Sequence, residues 1–231
     1  MLTPQHALER AQNLVSQAMT AGADAADAVY VCEASTEVQV RLGQLEDVAR
    51  SEGEDIGLRV FVGQRSATIS SSNMNPDILA GLVTRAIDMA KEAPEDQYAG
   101  LAPQDRLLTG SIPDFDSDDG LDPDPALLRA AALECEDAAR AVPGVSNSEG
   151  AGASAGRSIF ALATSHGFAG VKSGSGYSIS ASVLSGDDDA KERDYDWHSA
   201  RHMADLDSAA KIGTRAGERA VKRLNPGTVK S

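Results

Sequence analysis

Apolar residues recur at helical spacing near the start of the chain, at Ala7, Leu8, Ala11, Leu14, Val15, Ala18 and Met19. Thr3 offers an N-cap, Pro4 suits the first helical position and Gly22 supplies a stop, so a helix is predicted there. The period then changes to two. Val38, Val40 and Leu42 share one face while Glu37, Gln39 and Arg41 share the other, the signature of a half-buried antiparallel strand. Gly43 marks a turn, with a return over 45–52. A second alternating set, Ile56, Leu58, Val60 and Val62, turns at Gly63 and returns through Ala67 and Ile69. Residues 73–76 break the sheet. Ile78, Leu79, Leu82, Val83, Ala86, Ile87 and Ala90 then form an amphipathic helix that stops near Pro94.

The pattern lapses between 96 and 125, where Asp, Pro and Gly crowd together as a linker or extended surface loop. Asp124-Pro125 opens another helix, with its stripe at Leu127, Leu128, Ala131, Ala132, Cys135, Ala138, Ala139 and Val142 and its end at Pro143-Gly144. Strand signals resume over 145–154, 157–164, 168–173 and 177–185, and again over 191–197 after the Asp187-Asp188-Asp189 turn. A last helix carries Ala209, Ala210, Ile212, Ala216, Ala220, Val221 and Leu224. The fold class predicted is α+β: two helix–antiparallel sheet–helix units. The boundaries are 1–97 for the first unit, 98–122 for an acidic linker and 123–231 for the second. Thr84-Arg85-Ala86 and Thr214-Arg215-Ala216 sit at matching places in the closing helices, which raises an internal duplication.

Charge narrows the function. The 231 residues carry 35 Asp+Glu against 21 Lys+Arg, a formal net charge of −14, which disfavours phosphate backbones and anionic membrane surfaces as partners. No nucleic acid and no membrane is therefore the expectation. No apolar run approaches the length of a spanning helix, and the first residues lack the basic and apolar regions of a signal peptide. Two cysteines make no disulfide framework. A soluble, cytoplasmic protein is expected. Aromatics are only 4% and Gly reaches 21 residues, so the cores should be aliphatic and small-residue-rich.

Candidate chemistry is sparse. His198 and His202 stand at i, i+4, a spacing that places two imidazoles on one helical face for a metal. The residue after the first His is Ser199 rather than the Glu of the usual metallopeptidase helix, and a third ligand would have to come from His166 or an acid. Two ordinary polar histidines at the start of a helical region is the plainer reading. Cys32 lies in an apolar alternating segment, and Cys135 stands between Glu134 and Glu136, which suppress a thiolate. Asp114-x-Asp116-x-Asp118-Asp119-Gly120 fails as an EF-hand, because Asp119 and Pro125 occupy the positions that need Gly and Glu. A solvated acidic linker is the expectation. Gly150, Gly152 and Gly156 miss the dinucleotide spacing and precede a strand. On the residues alone, no catalytic, cofactor-binding or metal-binding residue is assigned.

Taken in order, several blocks resemble the N-terminal half of the TldD/PmbA family, once called modulators of DNA gyrase, and most closely its PmbA (TldE) branch. They are Gly22-Ala23-Asp24-Ala25-Ala26-Asp27-Ala28, Gly43-Gln44-Leu45-Glu46-Asp47-Val48, Gly57-Leu58-Arg59-Val60-Phe61, Asn147-Ser148-Glu149-Gly150 and Thr164-Ser165-His166-Gly167-Phe168. The most distinctive is Glu192-Arg193-Asp194-Tyr195-Asp196-Trp197, continuing through Ser199-Ala200-Arg201-His202-Met203-Ala204-Asp205-Leu206. The resemblance implies a two-subunit cytoplasmic metallopeptidase. Its zinc is expected in a TldD-like partner subunit, on an H-E-x-x-x-H helix and a distant Cys, with none in this chain. Unfolded or peptide substrates are implied, and homo-oligomerisation stays open.

This chain has no H-E-x-x-x-H, and no family zinc ligand maps onto His198 or His202. It stops about where the family's C-terminal domain would begin, so that domain is expected to be absent and the chain truncated. Its expected work is subunit association and access of substrate, with an exposed strand edge receiving an extended peptide. The alternatives are a self-contained metal hydrolase using His198 and His202, and a non-enzymatic regulatory binding module. A −14 module is a poor DNA holder, so the gyrase label fits an indirect effect through proteolysis.

Overall fold

Thr3 accepts a hydrogen bond from the His6 amide and Pro4 opens α1 (Pro4–Thr20), as the cap chemistry requires. The computed structural model describes residues 3–187 and 190–227; Asp188 and Asp189 of the expected turn, and the tail from 228, lie outside them. After α1 come β1 (Ala25–Arg41), β2 (Gln44–Val62), β3 (Arg65–Ser71) and α2 (Pro76–Glu92). The second half holds α3 (Pro125–Arg140), β4 (Val145–Thr164), β5 (Ala169–Ser185), β6 (Glu192–Ala200) and α4 (Ala209–Lys222). The strands form one six-stranded antiparallel sheet in the order β3-β2-β1-β4-β5-β6. Exchanging each strand with the one three later in sequence maps this order onto itself, so the fold is α+β with two matching helix–strand–helix halves.

Several strands are longer than their patterns suggest. Residues 45–52 and 56–62 belong to a single 19-residue β2. Residues 145–154 and 157–164 join in the 20-residue β4, and 168–173 and 177–185 in the 17-residue β5. The residues between these runs are part of continuous strands. Gly150 has φ +116°, and a Cβ there would stand 2.7 Å from the Val40 carbonyl oxygen, so only glycine fits.

The chain condenses into two units. The first takes α1, α2, β3 and residues 25–34, 52–62, 158–164 and 169–173 of the long strands. Its core sets Ala7, Ala11, Leu14 and Val15 of α1 and Leu82, Val83, Ala86 and Ile87 of α2 against Tyr30, Ile56, Leu58 and Val60. The second takes α3, α4, β6, the β1–β2 turn and residues 145–157 and 174–185. There Leu128, Ala132, Cys135 and Ala139 of α3 and Ile212, Ala216 and Ala220 of α4 pack on Val38, Val40, Tyr177, Ile179 and Val183.

Within the second unit α3 and α4 touch backbone to backbone. A Cβ on Gly213 would stand 2.0 Å from the Cys135 carbonyl oxygen, and one on Gly217 2.7 Å from that of Ala139. Two glycines at i, i+4 thus set the helix spacing in a core with few large side chains. Gly213→Ala should force the helices apart and destabilise the fold by about 2 kcal/mol or more, read as a lowered denaturant midpoint. Gly53→Ala, whose Cβ meets nothing within 4 Å, should shift it far less.

Candidate functional site

In the second unit, the sheet face opposite α3 and α4 is open. Residues of five strands line a groove of about 330 Å³ there, with Glu37, Glu46 and Glu149 as its acids and Arg193 and Tyr195 at its far side. Its floor is low because Gly150, Gly152, Ser180 and Ser182 carry small side chains. Glu149 accepts from Ser182 Oγ at 2.7 Å and pairs with Arg193 at 3.4 Å. Trp197, 56% exposed, alternates with Tyr195 on the outward face of β6. The groove offers carboxylates, hydroxyls, the Gln39 amide, the Arg193 guanidinium and one aromatic ring, and no imidazole or thiol lines it.

A buried carboxylate fixes one border of this face. Glu136 of α3 is fully buried and accepts from the amides of Leu42 and Gly43 at 2.7 and 2.8 Å and from Ser148 Oγ at 2.5 Å. Leu42 and Gly43 have φ +53° and +76°, so the β1–β2 turn is left-handed at both central positions, and Glu136 holds it. Desolvation pushes the Glu136 carboxyl up, but Ser148 and the two amides outweigh it and leave the pKa below the ordinary value. Sequence reasoning placed Glu136 only as a neighbour of Cys135. The available signal was its place four residues beyond Ala132, on the buried stripe.

The 192–197 block anchors α4. Along β6, Asp194 and Asp196 turn inward while Arg193, Tyr195 and Trp197 turn outward. Arg223 Nε reaches Asp194 at 2.6 Å, Arg215 Nε reaches Asp196 at 2.6 Å, and Arg219 lies 3.4 and 3.2 Å from the two carboxylates. Burial raises the Asp194 carboxyl, but Arg223, the Tyr195 amide and Arg219 bring it below its usual value.

The acidic segment is docked over part of its length, contrary to a fully solvated linker. Asp118 pairs with Arg157 at 2.9 Å, and the Ser175 amide donates to the Ser117 carbonyl at 2.8 Å. Asp119 accepts from Tyr177 OH at 2.6 Å, the Met203 amide at 2.9 Å and the Leu121 amide at 3.0 Å. Desolvation opposes its ionisation, yet these donors hold its pKa at about 2.

The histidine pair is not on a helix. His198 lies on the inward row of β6 and accepts from the Asp207 amide at 3.1 Å through Nδ1. His202 precedes the short 3-10 turn Met203–Asp205, and its Nε2 lies 2.9 Å from the Asp116 carbonyl, which makes that nitrogen a donor. Extended backbone spreads four residues over about 13 Å instead of the roughly 6 Å of a helix, so the i, i+4 spacing does not bring the two imidazoles together. His166 belongs to the first unit, where Nδ1 lies 3.3 Å from the Ala102 carbonyl. Among the described residues, no group of three His, Cys, Asp or Glu converges as metal ligands. Cys32 and Cys135 are both buried free thiols, and burial, with Asp196, Glu134 and Glu136 nearby, pushes Cys135 up to about 12. No described helix is long and apolar enough to cross a membrane.

The Asp119 cluster makes a pH prediction. The folded pKa is about 2 and the unfolded value is about 3.9, so its contribution is complete above about pH 4 and is lost as pH falls toward 2. Asp119→Asn should lower the denaturant midpoint at about pH 7 and lose less of it between about pH 4 and 2 than the parent chain.

Comparison with known proteins follows the same outline. The profile described as PmbA/TldA metallopeptidase domain 1 matches residues 26–90, and that of the PmbA/TldA metallopeptidase central domain matches 118–224. The Metalloprotease PmbA homolog of Haemophilus influenzae is 32% identical over 92% of this chain and 47% of its own length. Metalloprotease PmbA of Escherichia coli O157:H7 is 27% identical over 95% of this chain and 49% of its own. The chain thus spans about half the length of these relatives. A Bacteroides thetaiotaomicron crystal structure, provisionally labelled a modulator of DNA gyrase, superposes with a TM-score of 0.89 at 23% identity, over 100% of this chain and 52% of that one. TldE from Thermococcus kodakarensis gives 0.77 at 16%, over 92% and 47%. Both share the fold. With two family domains matched in order and a relative 32% identical over 92% of this chain, the chain belongs to the TldD/PmbA family.

Proposed function

We propose that this chain is the N-terminal region of a PmbA/TldE-like subunit that carries no metal itself. It works in a cytoplasmic peptidase whose zinc is held by a TldD-like partner, and it contributes subunit association and access of unfolded or peptide substrates. The observation that carries the reading is the use made of the family-distinctive 192–197 block. Asp194 and Asp196 hold α4, Arg193 meets Glu149, and Tyr195 and Trp197 face outward as contact surface. Two relatives named Metalloprotease PmbA, each about twice as long as this chain, support the peptidase setting. Residues 1–97 and 123–231 are the duplicated halves on this reading, joined through 98–122, and the self-matching strand order supports the division.

The test is affinity capture of the tagged native protein, with identification and metal analysis of whatever is retained. Expected is a stoichiometric subunit bearing H-E-x-x-x-H and zinc, with hydrolysis of unfolded peptides only when both are present. A chain that binds zinc and hydrolyses peptides alone, and loses both in His202→Ala, would overturn the reading in favour of a self-contained metal hydrolase. Failure to retain any such subunit would favour a regulatory binding module.

A further inference from the structure

The outer edge of β2 ends its pairing early. The register with β3 runs from Val62↔Arg65 to Ile56↔Ser71, whereas β2 begins at Gln44. Over residues 44–51, all within the second unit, β1 is the strand neighbour on one side, and no described strand lies on the other. Each residue from 44 to 53 is exposed, on both faces of the strand. Eight residues give about 26 Å of edge, enough to template a short added strand.

This edge is ordered and has a particular chemistry. Glu136 holds the turn that begins it, so the backbone is already set for pairing and little order has to be gained on binding. β2 contains no proline, the residue that most often blocks an edge. Leu45 and Val48 stand 43% and 48% exposed, with Glu46 and Asp47 between them. Alternation gives each face one aliphatic side chain and one carboxylate: Glu46 with Val48 on one, Leu45 with Asp47 on the other. Glu46 also lines the acidic groove beside Glu37.

We propose that this edge receives an extended basic segment whose side chains read apolar–basic–basic–apolar, opposite Leu45-Glu46-Asp47-Val48. The apolar–acidic–acidic–apolar pattern of 45–48 is the same in both directions, so parallel and antiparallel addition offer similar partners. Cross-strand neighbours stand about 5 Å apart, where Lys or Arg opposite a carboxylate is favourable and like charge is not. A second copy of the edge would set acid against acid and is disfavoured. The inference rests on the peptide-access reading above and adds the place and the substrate chemistry.

The experiment titrates the 231-residue chain with fluorescent peptides carrying Val-Lys-Lys-Val, Val-Glu-Glu-Val, or Val-Lys-Lys-Val N-methylated on alternate amides. At low salt the Lys-Lys peptide should bind at least tenfold tighter than the Glu-Glu peptide, weaken with salt, and lose binding on N-methylation. It should also protect amides in 44–51 from hydrogen exchange. The double variant Glu46→Lys with Asp47→Lys, both exposed, should reverse the preference. Equal binding of both peptides, protection elsewhere, or a preference unmoved in the double variant overturns the proposal and leaves the two carboxylates as guards against edge-to-edge aggregation. Capture of the zinc-bearing subunit tests the broader reading separately. Retention of that subunit with no peptide preference sinks only this inference, and the converse sinks only the subunit role.

Discussion

Much of the second unit depends on one buried carboxylate. Leu42 sits at φ +53°, a conformation that costs an L-residue of this shape roughly 1–2 kcal/mol, where Asn or Gly would cost less. Glu136 offsets that cost by taking the amides of Leu42 and Gly43, two donors that would otherwise be left without a partner in the turn. The consequence extends along β1 and β2, because slipping the turn by one residue would carry Val38 and Val40 from the core to the solvent face. Ser148 ties the same carboxylate to β4. One anionic group therefore fixes a turn, a helix and a strand together, and it stays ionised because every neighbour it meets is a donor.

From Glu136 the constraint passes to α4 and β6. Glycines at 213 and 217 let α3 and α4 approach at backbone distance, and the arginine row of α4 then meets the carboxylates of β6. The two repeats nearly match: four helical residues rise about 6 Å and two strand residues about 6.6 Å. Arg215, Arg219 and Arg223 can therefore keep step with Asp196 and Asp194 while the helix and the strand run in opposite directions. The arginines remain 37–55% exposed and keep much of their hydration, whereas the carboxylates are 7–12% exposed. Desolvation is confined to the side that gains several donors, which makes a buried ionic row tolerable.

What could be read in the chain, and what could not, divides along local and distant causes. Thr3-Pro4 and Asp124-Pro125 mark helix starts through cap chemistry confined to a few residues, and both helices begin there. Strand lengths are hidden in the sequence, because the apolar alternation lapses at 155–156 and Gly174-Ser175-Gly176 reads as a turn, whereas β4 and β5 run through both. The Asp-rich segment looked solvated for the same reason. Asp119 finds Tyr177 fifty-eight positions away and Met203 eighty-four away, separations that no window along the sequence spans. For the histidines, spacing alone carries the expectation, and i, i+4 spacing brings two side chains within reach of one ion only if the backbone between them is helical.

The low aromatic content, 4%, bears on function as well as on packing. The cores are filled largely by Ala with Val, Ile and Leu, which suits close helix and sheet contacts and leaves little need for large side chains inside. The single tryptophan is more than half exposed, beside Tyr195 on the same outward row of β6. Large rings are among the strongest contributors to association when a partner desolvates them. Folding the second unit therefore consumes its small residues and its paired charges, and leaves aromatic area, carboxylates and an open strand edge facing outward. That division of labour is what a recognition surface requires, and it is present before any catalytic group is considered.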